Sequence, residues 1–176
     1  HASRRHGRAD GARLEPGEGL GAERGARGAV GARAGGRTAR GASFLREKLG
    51  KKIGAEGLTL IDDATRPKGP SSRPFDGEGV PTQKRVIVDR GVLQGFLYNT
   101  SVAKRAGTKS TGNASRGGYA SLPGIGAHSF YLAAGSADPA AIVRATPKGL
   151  LVKGVTGYGI NAVNGNFSGG ARGLWI

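Results

Sequence analysis

Two residue types are missing altogether: the 176-residue chain contains no cysteine and no methionine. Without cysteine there is no disulfide, no thiolate metal ligand and no cysteine nucleophile in this stretch. That absence fits a reducing cytosol at least as well as an oxidising exterior, so a cytoplasmic location is the expectation. Without methionine, a chain that begins at His1 reads as a processed product or a fragment, and a fragment is expected. Long apolar runs are missing too; none approaches the roughly 18–20 residues that span a bilayer. The basic N-terminus lacks the continuous apolar core of a signal peptide, and Asp10, Glu15, Glu18 and Glu23 argue against an acid-poor transit peptide. Histidine is scarce, at three residues, and neither HExxH nor HExxxH occurs. A GxSxG elbow is absent as well. The residues by themselves therefore carry no recognisable zinc-hydrolase or serine-hydrolase signature.

Glycine and positive charge dominate what is present. There are 34 glycines, and 27 Lys plus Arg stand against 12 Asp plus Glu, for a net charge of +15. Such a charge raises nucleic-acid binding as a hypothesis. Its distribution weakens that reading. Residues 1–42 hold nine arginines, no lysine and four acids, and from Ser43 onward the basic residues are spread without a dense run. A diffuse excess of this kind is ordinarily a solvated surface.

Residues 1–42 consist mainly of Gly, Ala and Arg, with Leu14, Leu20 and Val30 as their large apolar residues. So little apolar surface cannot offset ordering entropy, and disorder is expected. An RG-rich arm could hold phosphates flexibly. The same texture also arises when GC-rich coding DNA is read out of frame, and the abrupt change at Ser43 fits a frame regained there.

From Ser43 the chain patterns as α+β, with antiparallel hairpins and a few short helices. Ser43 is placed to cap a helix over SFLREKLG that ends at Gly50. Leu58–Ile61 reads as a strand running into a turn at Asp62-Asp63, and residues 64–81 as loop. Lys84–Asp89 and Val92–Tyr98 flank Arg90-Gly91 as a β-hairpin, with Gly91 taking positive φ. Ser101–Ala106 forms a helical turn stopped by Gly107, and a polar loop follows over 108–126. Strands are expected at Ser129–Ala133 and Gly149–Val155, with a helix between them opened by Asp138-Pro139. The end, 159–176, reads as short strands broken by Asn-Gly turns.

Two stretches could carry a site. Asp76-Gly77-Glu78-Gly79 puts two carboxylates on a glycine-rich loop. They suit an acid/base pair or a cation site, or equally a tight loop whose acids accept backbone hydrogen bonds or pair with Arg73. Ser110–Gly118, STGNASRGG, is dense in small polar groups; its amides and Arg116 could hold a carboxylate or phosphate, or simply shape a loop. It lacks the Gly-Lys-Ser/Thr ending of a P-loop. His128, at the start of an apparent strand, reads as a hydrogen-bonded structural residue.

Taken in order, SFLREKLG, then LTLIDDATRPKGPSSRPFDGEGVPTQKRVIVDRGVLQGFLYNTSVAKRAGTKSTGNASRG, then GLLVKGVTGYGINAVNGNFSGGARGLWI, resemble the central-to-C-terminal region of the TldD/PmbA family. Asn164 and Asn166 depart from the final motif, which carries Thr and usually Asp there. The wording of Arg73–Asp76 and Ser110–Ser115 is similar to the PmbA (TldE) branch. The resemblance implies a partial C-terminal domain over 43–176 of a non-catalytic subunit. Its TldD-type partner would hold zinc through an HExxxH helix and a cysteine, and the pair would trim or mature small peptides. No catalytic residue or metal ligand of the family carries over to this chain, and Asp76, Glu78, Ser110, Asn113 and Arg116 are expected to act as substrate-binding or loop-positioning groups. Two alternatives remain: a nucleic-acid or gyrase-linked binding role, and a non-functional fragment of the family.

A salt series separates the first alternative from the peptidase-related reading. We expect no measurable affinity for duplex DNA or RNA at moderate ionic strength, because diffuse charge binds only through counterion release.

Overall fold

The computed structural model describes residues 43–69, 71–161 and 163–176. The Arg/Gly/Ala-rich segment 1–42, with the disorder expected of it, lies outside the described residues. Four strands make the principal sheet: β1 (Leu60–Asp63), β2 (Lys84–Asp89), β3 (Val92–Leu93) and β6 (Phe130–Leu132), ordered β3-β2-β1-β6 and antiparallel throughout. A short ribbon joins β4 (Ala114–Ser115) to β5 (Gly124–Ile125), and a longer hairpin joins β7 (Leu150–Ile160) to β8 (Phe167–Trp175). Two short helices complete the set, α1 (Thr100–Arg105) and α2 (Pro139–Ala145). The α+β class with antiparallel pairing is as the sequence patterning predicts.

The β2–β3 turn fixes the sheet. Arg90 and Gly91 both take positive φ, 45° and 80°, which matches the right-handed twist of the flanking strands. The expected left-handed glycine is there, and Arg90 joins it. Gly91 is also clasped by the preceding segment. Its N–H donates to the Leu58 carbonyl at 2.8 Å, and its own carbonyl accepts from Ile53 N–H at 2.7 Å. A Cβ at this position would overlap the Gly54 carbonyl oxygen and lie 2.6 Å from that of Ala55.

A register shift on β1 pairs Leu60 with Val88 and Ile61 with Val86, leaving Ile87 as the extra residue of a bulge. Ile87 and Val88 are both fully buried as a result. They join Leu45, Leu60, Leu93, Phe96, Leu97 and Phe130 in one apolar core. Burial of each such side chain contributes roughly 1.5–3 kcal/mol.

The strand expected over Val92–Tyr98 ends at Leu93, the loop expected over 108–126 holds the β4–β5 ribbon, and three further local expectations are corrected. Residues 43–50 form successive turns, with Arg46 N–H on Ser43 O and Lys48 N–H on Leu45 O, and no helix. So short a helix is marginal alone. Pairing with β3 wins: Gly50 N–H donates to Leu93 O at 2.8 Å, and Leu93 N–H donates to Lys51 O at 3.1 Å. Second, Asp62 and Asp63 lie inside β1 and are buried, where a turn was expected. Third, the C-terminal stretch forms one hairpin with an 11-residue and a 9-residue strand, where several short strands were expected. Both helices follow their caps. Asn99 accepts from Val102 N–H ahead of α1, and Asp138 accepts from Ala140 N–H with Pro139 opening α2.

Gly91→Ala combines a left-handed backbone with a backbone collision, so it should destabilise the fold by about 3 kcal/mol in urea titration. Gly95 has nothing within 4 Å of a built Cβ. Gly95→Ala should therefore change the unfolding free energy by less than about 1 kcal/mol in the same titration.

Candidate functional site

The two stretches singled out from sequence meet in space. Asp76, buried, folds its own loop: Oδ1 accepts from Glu78 N–H at 2.9 Å and from Val80 N–H at 3.0 Å. Its other oxygen, Oδ2, reaches across to accept from Ala114 N–H at 2.8 Å. Gly77 N–H returns the connection by donating to Ala114 O at 2.9 Å. One carboxylate therefore closes the first loop and staples it to the second.

The second loop is held from below. Asn113 is buried; its Nδ2 donates to Asp62 Oδ2 at 2.7 Å and to Gly126 O at 3.1 Å, while Oδ1 accepts from Thr111 Oγ1 at 2.7 Å. The remaining oxygen of Asp62 accepts from His128 N–H at 2.8 Å. His128 Nε2 lies 2.7 Å from the Gly112 carbonyl oxygen, so that nitrogen carries the proton. Gly112 takes φ 71°, and a Cβ there would overlap the Pro81 carbonyl oxygen. Strand β1, the entry to β6 and both loops thus share one polar network.

The other three candidate residues lie around this network. Arg116 is exposed, with Nε donating to Gly77 O at 2.9 Å and Nη1 to Ser121 O at 2.7 Å. Glu78 turns toward α1, where Oε2 accepts from Thr100 N–H at 2.8 Å. A carboxylate at a helix start also meets the positive end of its dipole. Ser110 is further off: Oγ lies 3.3 Å from the Tyr98 carbonyl, which accepts from it, and 3.3 Å from Gly112 N–H, which donates to it. Asp76, Asn113 and Arg116 are thus brought together around Gly77 and Ala114; Glu78 and Ser110 face other neighbours. Sequence reasoning missed Asp62 and Thr111. Two acids directly after an apolar run were the available signal for Asp62, and they were read as a turn.

Two groups nearby have pKa values moved from their ordinary range. Burial pushes the Asp63 carboxyl up, yet the Thr65 hydroxyl and N–H, with Lys84 and Arg66, outweigh it and hold Asp63 below the usual carboxylate range. Burial raises the Tyr98 phenol, partly offset by Arg85. Among the described residues, no cluster of three or more His, Cys, Asp or Glu side chains is placed to hold a metal ion. The arrangement is suited to fixing two loops rigidly and presenting their outer polar groups.

Comparison with known proteins points one way. Residues 26–176 match the PmbA/TldA metallopeptidase C-terminal domain. The chain is 35% identical over 147 residues to "Metalloprotease PmbA" of Escherichia coli O157:H7, covering 84% of this chain and 30% of that protein. It is 30% identical over 128 residues to "Metalloprotease TldD homolog" of Buchnera aphidicola subsp. Acyrthosiphon pisum, covering 73% of this chain and 26% of that protein. The structure of TldE from Thermococcus kodakarensis superimposes with a TM-score of 0.75 at 34% identity, over 82% of this chain and 34% of that one. The chain therefore spans about a third or less of the length of these relatives.

Asp76→Ala leaves three backbone N–H groups without their acceptor, and should destabilise the fold by about 3 kcal/mol or more. Hydrogen exchange at Glu78, Val80 and Ala114 should accelerate with it. For Asp63, a lowered folded pKa means its stabilisation is complete above about pH 4, the unfolded carboxylate range, and is lost as pH falls through the lower folded value. The gap in urea midpoint between the parent and Asp63→Asn should accordingly shrink from pH 5 to pH 3.

Proposed function

The chain belongs to the PmbA/TldA metallopeptidase family, matching its C-terminal domain, and on that premise we propose that it serves as a PmbA/TldE-like, non-catalytic subunit of a zinc metallopeptidase that processes small peptides. The observation that carries this reading is how the candidate side chains are spent. Asp62, Asp76, Asn113 and His128 all hold backbone or one another, in a network that shapes two loops.

Zinc is the metal the family implies. The described residues do not fit it: they offer no cluster of donors, and the Nε2 of His128 is turned to the Gly112 carbonyl. The PmbA-like wording of Arg73–Asp76 and Ser110–Ser115 supports placing zinc and the general base on a TldD-type partner, and this chain's residues are given binding and positioning roles alone. Both PmbA- and TldD-named proteins are among its relatives, which supports pairing between such subunits. The peptide is the proposed substrate and the cytoplasm the proposed location; no helix among the described residues is long and apolar enough to cross a membrane.

Within the pair, this chain supplies a wall of the peptide site. Asp76, Asn113 and Ser110 hold the loops in shape. Glu78 and Arg116 place charge at the loop surface, where a peptide's termini or side chains would meet it. Positioning of this kind acts through orientation and needs no proton transfer by the wall.

The test is reconstitution with a TldD-type subunit, with peptide cleavage and bound zinc measured together. Glu78→Gln and Arg116→Ala should each lower kcat/KM by about tenfold, equivalent to about 1.4 kcal/mol of transition-state binding. Zinc content should stay unchanged. Cleavage at the parent rate in both variants would discard the site assignment, and stoichiometric zinc on this chain alone would discard the non-catalytic role.

A further inference from the structure

Three consecutive residues at the start of α1 each hold a different loop. Tyr98 N–H donates to Thr111 Oγ1 at 2.8 Å and its carbonyl accepts from Thr111 N–H at 3.2 Å, which fixes the Ser110–Asn113 loop. Asn99 Nδ2 donates to Pro123 O at 2.9 Å, where the chain returns into β5. Thr100 N–H donates to Glu78 Oε2 at 2.8 Å, in the first loop. The middle residue is itself pinned. Asn99 is 4% exposed, its Oδ1 accepts from Val102 N–H at 2.9 Å, and its carbonyl accepts from Ala103 N–H at 2.9 Å.

Both charged groups given to the peptide wall trace back to this point. Glu78 meets it directly, through Thr100. Arg116 meets it through the ribbon, because its Nη1 donates to Ser121 O at 2.7 Å, two residues before Pro123. A long exposed side chain keeps one direction only while its partners stay put. The ribbon alone is a weak support: it pairs Ala114 with Ile125 and Ser115 with Gly124, and two-stranded pairing this short is marginal. The Asn99 amide supplies what the pairing lacks. Helix capping does not by itself call for an amide, since serine and aspartate cap as well. Serine is too short to reach a second partner, and an ionised aspartate has no donor to give Pro123 O.

We infer that Asn99 is a positioning residue for peptide processing: its amide sets where the Arg116 guanidinium stands relative to the Glu78 carboxylate. This inference rests on the peptide-wall reading above, and the test separates the two. The reconstituted pair is assayed with Asn99→Ser and Asn99→Asp, which keep an oxygen for Val102 N–H and lose the donor to Pro123 O. Each should lower kcat/KM by about fivefold, less than Arg116→Ala, because the guanidinium is displaced and not removed. In the Arg116→Ala background neither should cost more than about twofold further, whereas in the Glu78→Gln background the fivefold loss should recur in full. Hydrogen exchange on the full chain alone should quicken at Ser121 and keep the parent rate at Ala103 and Ala106. Parent rates in both Asn99 variants, with Arg116→Ala still impaired, would overturn the positioning role and leave the wall intact. An equal loss in the Arg116→Ala background would overturn it as well, since Asn99 would then act through the fold at large. So would faster exchange at Ala103 in both variants, because α1 itself would then be what was lost. Parent rates in Glu78→Gln and Arg116→Ala would remove the wall, and the positioning role with it.

Discussion

A carboxylate with 1% of its residue exposed, Asp62, is where the sheet and the loops become one object. Burying an anion is expensive unless donors converge on it. Here they converge from two directions: the Asn113 amide from the 110–116 loop and the His128 N–H from the approach to β6. Asp76 repeats the device one layer out, collecting N–H groups from its own loop and from Ala114. Each acid fixes a surface loop to something already rigid, so the order of the outer loop is inherited from β1. Removing either acid leaves donors stranded, and the geometry between the loops goes with them.

Such a scheme explains why so few of the conspicuous side chains are available for chemistry. The sequence displays acids, an asparagine, an arginine and a histidine in glycine-rich surroundings. In the fold most of them face inward and hold backbone. Glycine does the complementary task where chains cross closely: Gly112 passes against the Pro81 carbonyl where no Cβ could fit.

How much of this was legible beforehand depended on distance along the chain. The β2–β3 turn, the helical turn that becomes α1 and the Asp138-Pro139 start of α2 are set by residues within a few positions of one another, and the patterning finds them; the Asn99 cap of α1 it does not name. The helix expected over 43–50 gives way to turns because its end pairs with β3, which lies some forty residues on. For the site, the stretches holding Asp76 and Asn113 were recognisable as text. Their roles were not, because the deciding bonds span 38, 51 and 66 positions. Asp62 escaped notice for the same reason: in the sequence it is an acid after an apolar run, and only its remote donors make it a centre.

The β7–β8 hairpin is built differently from all of this, with pairing running along both of its strands and side chains of β8 exposed throughout. It also carries Trp175, the chain's sole tryptophan, 79% exposed at the end of β8. Intrinsic indole emission consequently watches the hairpin and is blind to the Asp62-centred core. Tyr98 and Tyr131, beside that core and on β6, are the chromophores that see the sheet. A denaturation curve followed at the tryptophan band therefore reports the hairpin, whereas tyrosine absorbance mixes the sheet with Tyr119 and with Tyr158 on β7.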